Sequence, residues 1–73
     1  MENLEIVEID KAYYEIDKVI HWRLSGETLA SSLVDMASVD IDIPDEALGK
    51  WLGEVDRDDY NFIVTLYYHK EVN

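Results

Sequence analysis

Hydrophobic positions along this chain follow strand-like runs at both ends and a helical period in the middle. Residues 3–9, Asn-Leu-Glu-Ile-Val-Glu-Ile, are rich in apolar and β-branched side chains and predict a strand. After a break at Ser25-Gly26, Leu29, Ala30, Leu33, Val34 and Ala37 make the stripe of an amphipathic helix over 28–38. Ser25 or Thr28 is placed to cap it, and Glu27 suits the positive end of its dipole. Val39–Ile43 alternates apolar and acidic residues, the pattern of an extended segment with its acids on one side. Ala47, Leu48, Trp51, Leu52 and Val55 then repeat the helical stripe behind Pro44, Asp45 and Glu46, which predicts a second helix over 45–55. Gly49 and Gly53 fall off that stripe at about 1 kcal/mol each against Ala, either tolerated or admitting close approach by a partner.

The strongest strand pattern is 61–69. Phe62, Val64, Leu66 and Tyr68 share one face, and Ile63, Thr65 and Tyr67 share the other. Apolar residues on both faces predict a central strand or an edge covered by a partner. Leu4–Ile9 is its expected neighbour, with 19–24 as a further candidate.

Residues 9–24 fit two patterns. Glu8-Ile9-Asp10-Lys11 recurs as Glu15-Ile16-Asp17-Lys18, two helical turns on, and would place Ile9, Tyr13, Ile16, Ile20 and Leu24 on one face with a Lys11–Glu15 pair. The same residues also read as a meander with turns at the two Asp-Lys dipeptides, although no glycine follows either one. Both readings stay open on sequence grounds.

At 73 residues the chain reads as one domain, 1–73, near the lower size limit for a self-sufficient core. Its hydrophobic content, 48%, is too high for a disordered acidic tail. No cysteine is present, so disulfides and thiolate metal sites are excluded. The start, Met1-Glu2-Asn3-Leu4-Glu5, lacks the basic and apolar runs of a signal peptide, and no apolar run is long enough to span a bilayer. The expected location is cytoplasmic.

Candidate chemistry is sparse. His21 and His69 are the only histidines, and each reads better as the end of an apolar element than as a ligand. Asp40, Asp42 and Asp45 superficially suggest a calcium loop. Ile43-Pro44 stands where the glycine turn belongs, however, and Trp51 stands where the last glutamate belongs. No glycine-rich phosphate loop and no setting for an activated serine is present. Neither an enzyme nor a cofactor is expected. Trp51, on an apolar stripe, reads as a core anchor; Trp22 fits either core or interface, and Tyr13-Tyr14 and Tyr67-Tyr68 should each bury one ring and expose the other.

Charge changes the picture more than any motif. The net charge is −11, and the stretch 35–59 holds nine acids, Asp35, Asp40, Asp42, Asp45, Glu46, Glu54, Asp56, Asp58 and Asp59, against Lys50 and Arg57. Such a balance repels nucleic acid and anionic membranes and favours basic protein surfaces, while also serving solubility. In an extended segment, alternate acids such as Asp40 and Asp42 would approach the spacing of backbone phosphates.

Size, acidity, absent cysteine and the 35–59 stretch together resemble the small acidic proteins that bacteriophages use against host machinery. These include DNA mimics that block restriction or CRISPR effectors and regulators that bind RNA polymerase. The resemblance implies a non-enzymatic regulator whose nine acids above meet a basic host surface, with bacterial RNA polymerase the leading partner. An antitoxin or immunity protein masking a basic partner, or a homodimer whose acidity only solubilises it, fits the same composition. The expected fold is α+β: a small antiparallel sheet containing 61–69, packed against two amphipathic helices, 28–38 and 45–55.

Overall fold

A long antiparallel ladder sets the dimensions of the molecule. The computed structural model describes residues 3–22 and 25–72. Strand β1, Asn3–Glu15, leads into a short helix α1, Ile16–Ile20, and then helix α2, Gly26–Asp40. A single 3-10 turn, Asp45–Ala47, precedes the hairpin of β2, Trp51–Arg57, and β3, Asn61–Val72. The sheet order is β1-β3-β2 with both pairings antiparallel. This is the expected α+β class, with the 61–69 segment central and Leu4–Ile9 beside it. Thirteen residues at about 3.3 Å each give β1 a length of roughly 43 Å. That accounts for the long dimension of 46 Å in a body 21 and 18 Å across. β2 pairs only with Phe62–Tyr68, so Asn3–Ile6 and His69–Val72 continue past it as a two-stranded ribbon.

Both helices cover one face of the sheet. Val19 of α1, Leu33 and Ala37 of α2, Ile41, and Val64 and Leu66 of β3 form the buried core. Leu33, Leu66 and Val64 are sealed from solvent, and each contributes about 1.5–3 kcal/mol of burial. Trp51, Val55, Phe62, Ile9, Ala12 and Tyr14 pack around this centre. The stripe on α2 falls where its period places it, and Ser25 is the cap, accepting from the Thr28 N–H at 3.4 Å.

Five expectations need correction. The segment 45–55 is not a helix. Trp51 and Val55 are four apart, an even spacing that serves a strand as well as a helix, and Gly53 between them completes an inward-facing set at period two. Gly49 takes φ +79°, a left-handed conformation that ends the local turn. Gly53 is required by the chain's own helix, since a Cβ there would lie 2.7 and 2.9 Å from the two γ-methyls of Val34. Extended structure begins only at Ile41, because α2 runs on through Asp40 and the Ile41 N–H still donates to the Ala37 carbonyl at 2.8 Å.

The stretch 9–24 is neither one helix nor a meander. It is strand to Glu15 and helix from Ile16, so Val19 and Ile20 are not in the sheet; residues 23–24 lie outside the described set. A register shift between Glu8 and Asp10 reverses the alternation, so odd-numbered Val7 and Ile9 and even-numbered Ala12 and Tyr14 all reach the helix-covered side. The repeated Glu-Ile-Asp-Lys therefore occupies two irregularities, the bulge and the strand-to-helix junction. Its Lys residues pair back three positions, Lys11 to Glu8 at 3.5 Å and Lys18 to Glu15 at 3.2 Å, in place of the expected Lys11–Glu15 pair.

Candidate functional site

The nine acids of 35–59 do not form one surface, because the strand in place of the second helix divides them between layers. Asp35 and Asp40 lie on α2, Asp42 just after it, and Asp45 and Glu46 in the 3-10 turn, all exposed on the helix side. Glu54 and Asp56 lie on β2 and face away from the helices, opposite Thr65 and Ile63. Asp58 belongs to the β2–β3 turn itself, where one carboxylate oxygen accepts from the Tyr60 N–H at 2.7 Å and the Asn61 N–H at 2.6 Å. Those two donors hold its carboxyl below the usual carboxylate range. Asp59 comes together with Glu15 and Asp17 around a cleft beside α1, with Arg57 also on its wall.

Three of the nine acids are held by tyrosine hydroxyls. Tyr14 donates to Asp40 at 2.7 Å, Tyr67 to Glu54 at 3.4 Å, and the buried Tyr68 to Glu46. Burial, together with the Asp40 hydrogen bond and charge, pushes the Tyr14 phenol up to about 12. The Glu46 hydrogen bond raises Tyr68, and partial burial with the Glu54 charge raises Tyr67. As expected, each tyrosine pair divides: Tyr14 and Tyr68 pack inward while Tyr13 stays exposed and Tyr67 half-buried. These acids serve the fold as well as the surface.

The uncovered face of the sheet is the feature that sequence reasoning did not assemble. Cross-strand register puts Ile6 beside His69, then Glu8, Tyr67 and Leu52 in a row, Lys11, Thr65 and Glu54 in the next, and Tyr13, Ile63 and Asp56 in a third. Leu4 and Glu71 close the ribbon end, and Glu15 and Asn61 the other. Ile6, Tyr13 and Leu52 are exposed at 66%, 61% and 47%, far more than buried sheet residues would be. The face therefore interleaves apolar and aromatic residues, Ile6, Tyr67, Leu52, Tyr13 and Ile63, with Glu8, Glu15, Glu54, Asp56 and Glu71, and the polar row of Lys11, Thr65 and Glu54 crosses it; Lys11 is the one Lys or Arg among these positions. Ile63, Thr65 and Tyr67 signalled it through the two-sided apolar pattern of 61–69. Leu52 was hidden in the helical misreading, and Tyr13 behind the unseen bulge.

No family model, curated protein or solved structure matches the chain. Its site must be read from its own geometry. Among the described residues no group of three His, Asp or Glu side chains is placed to hold a metal ion, and His21 and His69 are both exposed. His69 stands edge-on to the Tyr67 ring at 5.9 Å. No described helix is long and apolar enough to cross a membrane.

Proposed function

We propose that this chain is a non-enzymatic acidic binding protein of the cytoplasm that occupies a basic surface of a nucleic-acid-handling host protein, as a phage regulator of bacterial RNA polymerase would. The observation that supports this most is how the charges are used. Among the described residues only Glu8 and Glu15 make ion pairs, and no charged side chain is buried. The cations are largely engaged: Lys11 and Lys18 are paired, Lys50 lies 5.5 Å from the Tyr68 ring centre, and Arg57 5.8 Å from that of Phe62. The result is an outward negative field that steers basic partners.

A second reading, a DNA-like decoy for a restriction or CRISPR effector, draws support from Glu54 and Asp56. As alternate residues of β2 on the open face, they stand roughly 6.7 Å apart along the strand. Capture assays with purified RNA polymerase and with a nuclease effector, run at rising salt beside in vitro transcription, decide between them. Retention of polymerase at moderate salt with altered transcription supports the first reading. Competition with DNA that collapses as salt rises supports the second. Capture of neither sinks both.

A further inference from the structure

We propose that the open face of the sheet is the docking face and that its occupant is a basic protein surface bearing apolar side chains. This rests on the binding reading above and gives it a location. A purely electrostatic contact needs no apolar residues, yet Ile6, Leu52 and Tyr13 are held in water on this face. Apolar side chains set among charged ones suit a protein interface, in which the apolar residues anchor the partner and the charges select it. Charge chooses the occupant. Glu8, Glu15, Glu54, Asp56 and Glu71 stand among the apolar residues of this face against Lys11 alone. A second copy laid on this face would bring the same carboxylates together within a Debye length, about 8–10 Å at ordinary ionic strength, and nucleic acid or an anionic bilayer would be repelled in the same way. Lysine and arginine beside exposed aliphatic side chains match the carboxylates and the apolar residues at once.

On the helix side Leu33, Ala37 and Ile41 are spent in the core, and the exposed Ile20, Val39 and Leu48 lie on separate elements, α1, α2 and the turn before β2, whereas Ile6, Leu52 and Tyr13 share one sheet face. The long ladder also gives the face reach, because the ribbon of Asn3–Ile6 and His69–Val72 extends it beyond β2.

The test uses the full chain, isotope-labelled for amide shifts, and two probes. One is a short helical peptide with leucines along one side and lysines along the other; the second is an oligolysine of equal charge. The leucine-lysine peptide should bind about tenfold more tightly, keep most of its affinity between about 50 and 200 mM salt, and shift amides of Ile6, Leu52, Ile63 and Tyr67. The Ile6→Thr/Leu52→Thr variant should lose about tenfold for that peptide and nothing for oligolysine. Both side chains are exposed, and threonine keeps the strand propensity, so circular dichroism should be unchanged. Equal affinity for the two probes, shifts centred on Asp35 and Asp42, or an unaffected double variant would overturn the docking face and leave the acidic binding reading standing. Failure of both probes to bind at low salt would overturn that reading too.

Discussion

Gly53→Ala should destabilise the protein although the backbone there would accept alanine. The added Cβ would meet Val34 Cγ1 at 2.7 Å and Cγ2 at 2.9 Å, with Leu66 Cδ2 at 3.2 Å behind. Both methyls of a β-branched side chain are in the way, so no small rotation of Val34 clears the space. Leu66 is fully buried and has nowhere to retreat. Helix α2 must therefore lift from β2, an overpacking cost of about 1–3 kcal/mol. Replacing glycine also restricts the unfolded chain, which returns about 0.4–1 kcal/mol. The difference spans about 0–2.6 kcal/mol with its midpoint at about 1.3, which for a chain this size lowers Tm by roughly 5–10 °C. Thermal unfolding followed by circular dichroism reads this directly. Adding Val34→Ala should recover part of the loss, with a coupling of about 0.5–3 kcal/mol in the double-mutant cycle. A Gly53→Ala protein as stable as the parent, or one whose loss is simply additive with Val34→Ala, would show that the helix does not press on β2 at that point.

Alkaline titration should reveal the Tyr14–Asp40 bond. The folded phenol sits near 12 while an unfolded tyrosine ionises near 10, so the folded state keeps its proton longer. The resulting stability is complete below about pH 10 and is lost as pH rises toward 12. Tyr14→Phe should remove one phenol from the late part of the ultraviolet titration, which the raised Tyr67 and Tyr68 share, and cost about 1 kcal/mol. At the other end of the scale, Asp58 is held below its ordinary value by the Tyr60 and Asn61 amides, so its contribution is present above the unfolded carboxyl range and fades as pH falls through the lowered folded value. Asp58→Ala should lower Tm and flatten that acid limb, whereas Asp58→Asn, which keeps an acceptor, should lose less. Leu66→Ala, at a site with no exposure, should cost about 2–5 kcal/mol, enough to leave much of the protein unfolded at 37 °C by the same optical measurement.

Strand β3 and helix α2 were legible because each carries an unbroken period. Phe62, Val64, Leu66 and Tyr68 alternate without a fault, and Leu29, Leu33 and Ala37 repeat at four. What failed were places where two periods coincide or one is interrupted. Trp51 and Val55 satisfy both the helix and the strand, and the deciding fact, Val34 pressing on the α-carbon of Gly53, is a tertiary contact no local pattern contains. In β1 the extra residue at Ile9 inverts the phase, so a continuous strand looks like two incompatible pieces. The site was less legible than the fold for the same reason. Nine acids close in sequence looked like one surface. Folding instead sends Glu54 and Asp56 to one side of the sheet and Asp35, Asp40, Asp42, Asp45 and Glu46 to the other, with Asp58 spent on its own turn.

This division bears on whether the acidity serves solubility or binding, which the composition alone presents as alternatives. An uncovered sheet face with exposed aliphatic residues, next to an edge strand as long as β1, invites pairing with other copies of the chain. Here the edge carries Glu5, Glu8, Asp10 and Glu15 and is bent by the bulge at Ile9, and the face carries Glu8, Glu54 and Asp56. Each device opposes self-association, since any copy brings the same charges and the same bend. The same carboxylates leave the face attractive to a surface of opposite charge. Repelling its own kind and admitting a basic partner are thus one property of one set of residues, so substitutions that neutralise those carboxylates should weaken both together. Changes confined to Asp42 or Asp45, on the helix side, should alter net charge by as much and neither property by as much.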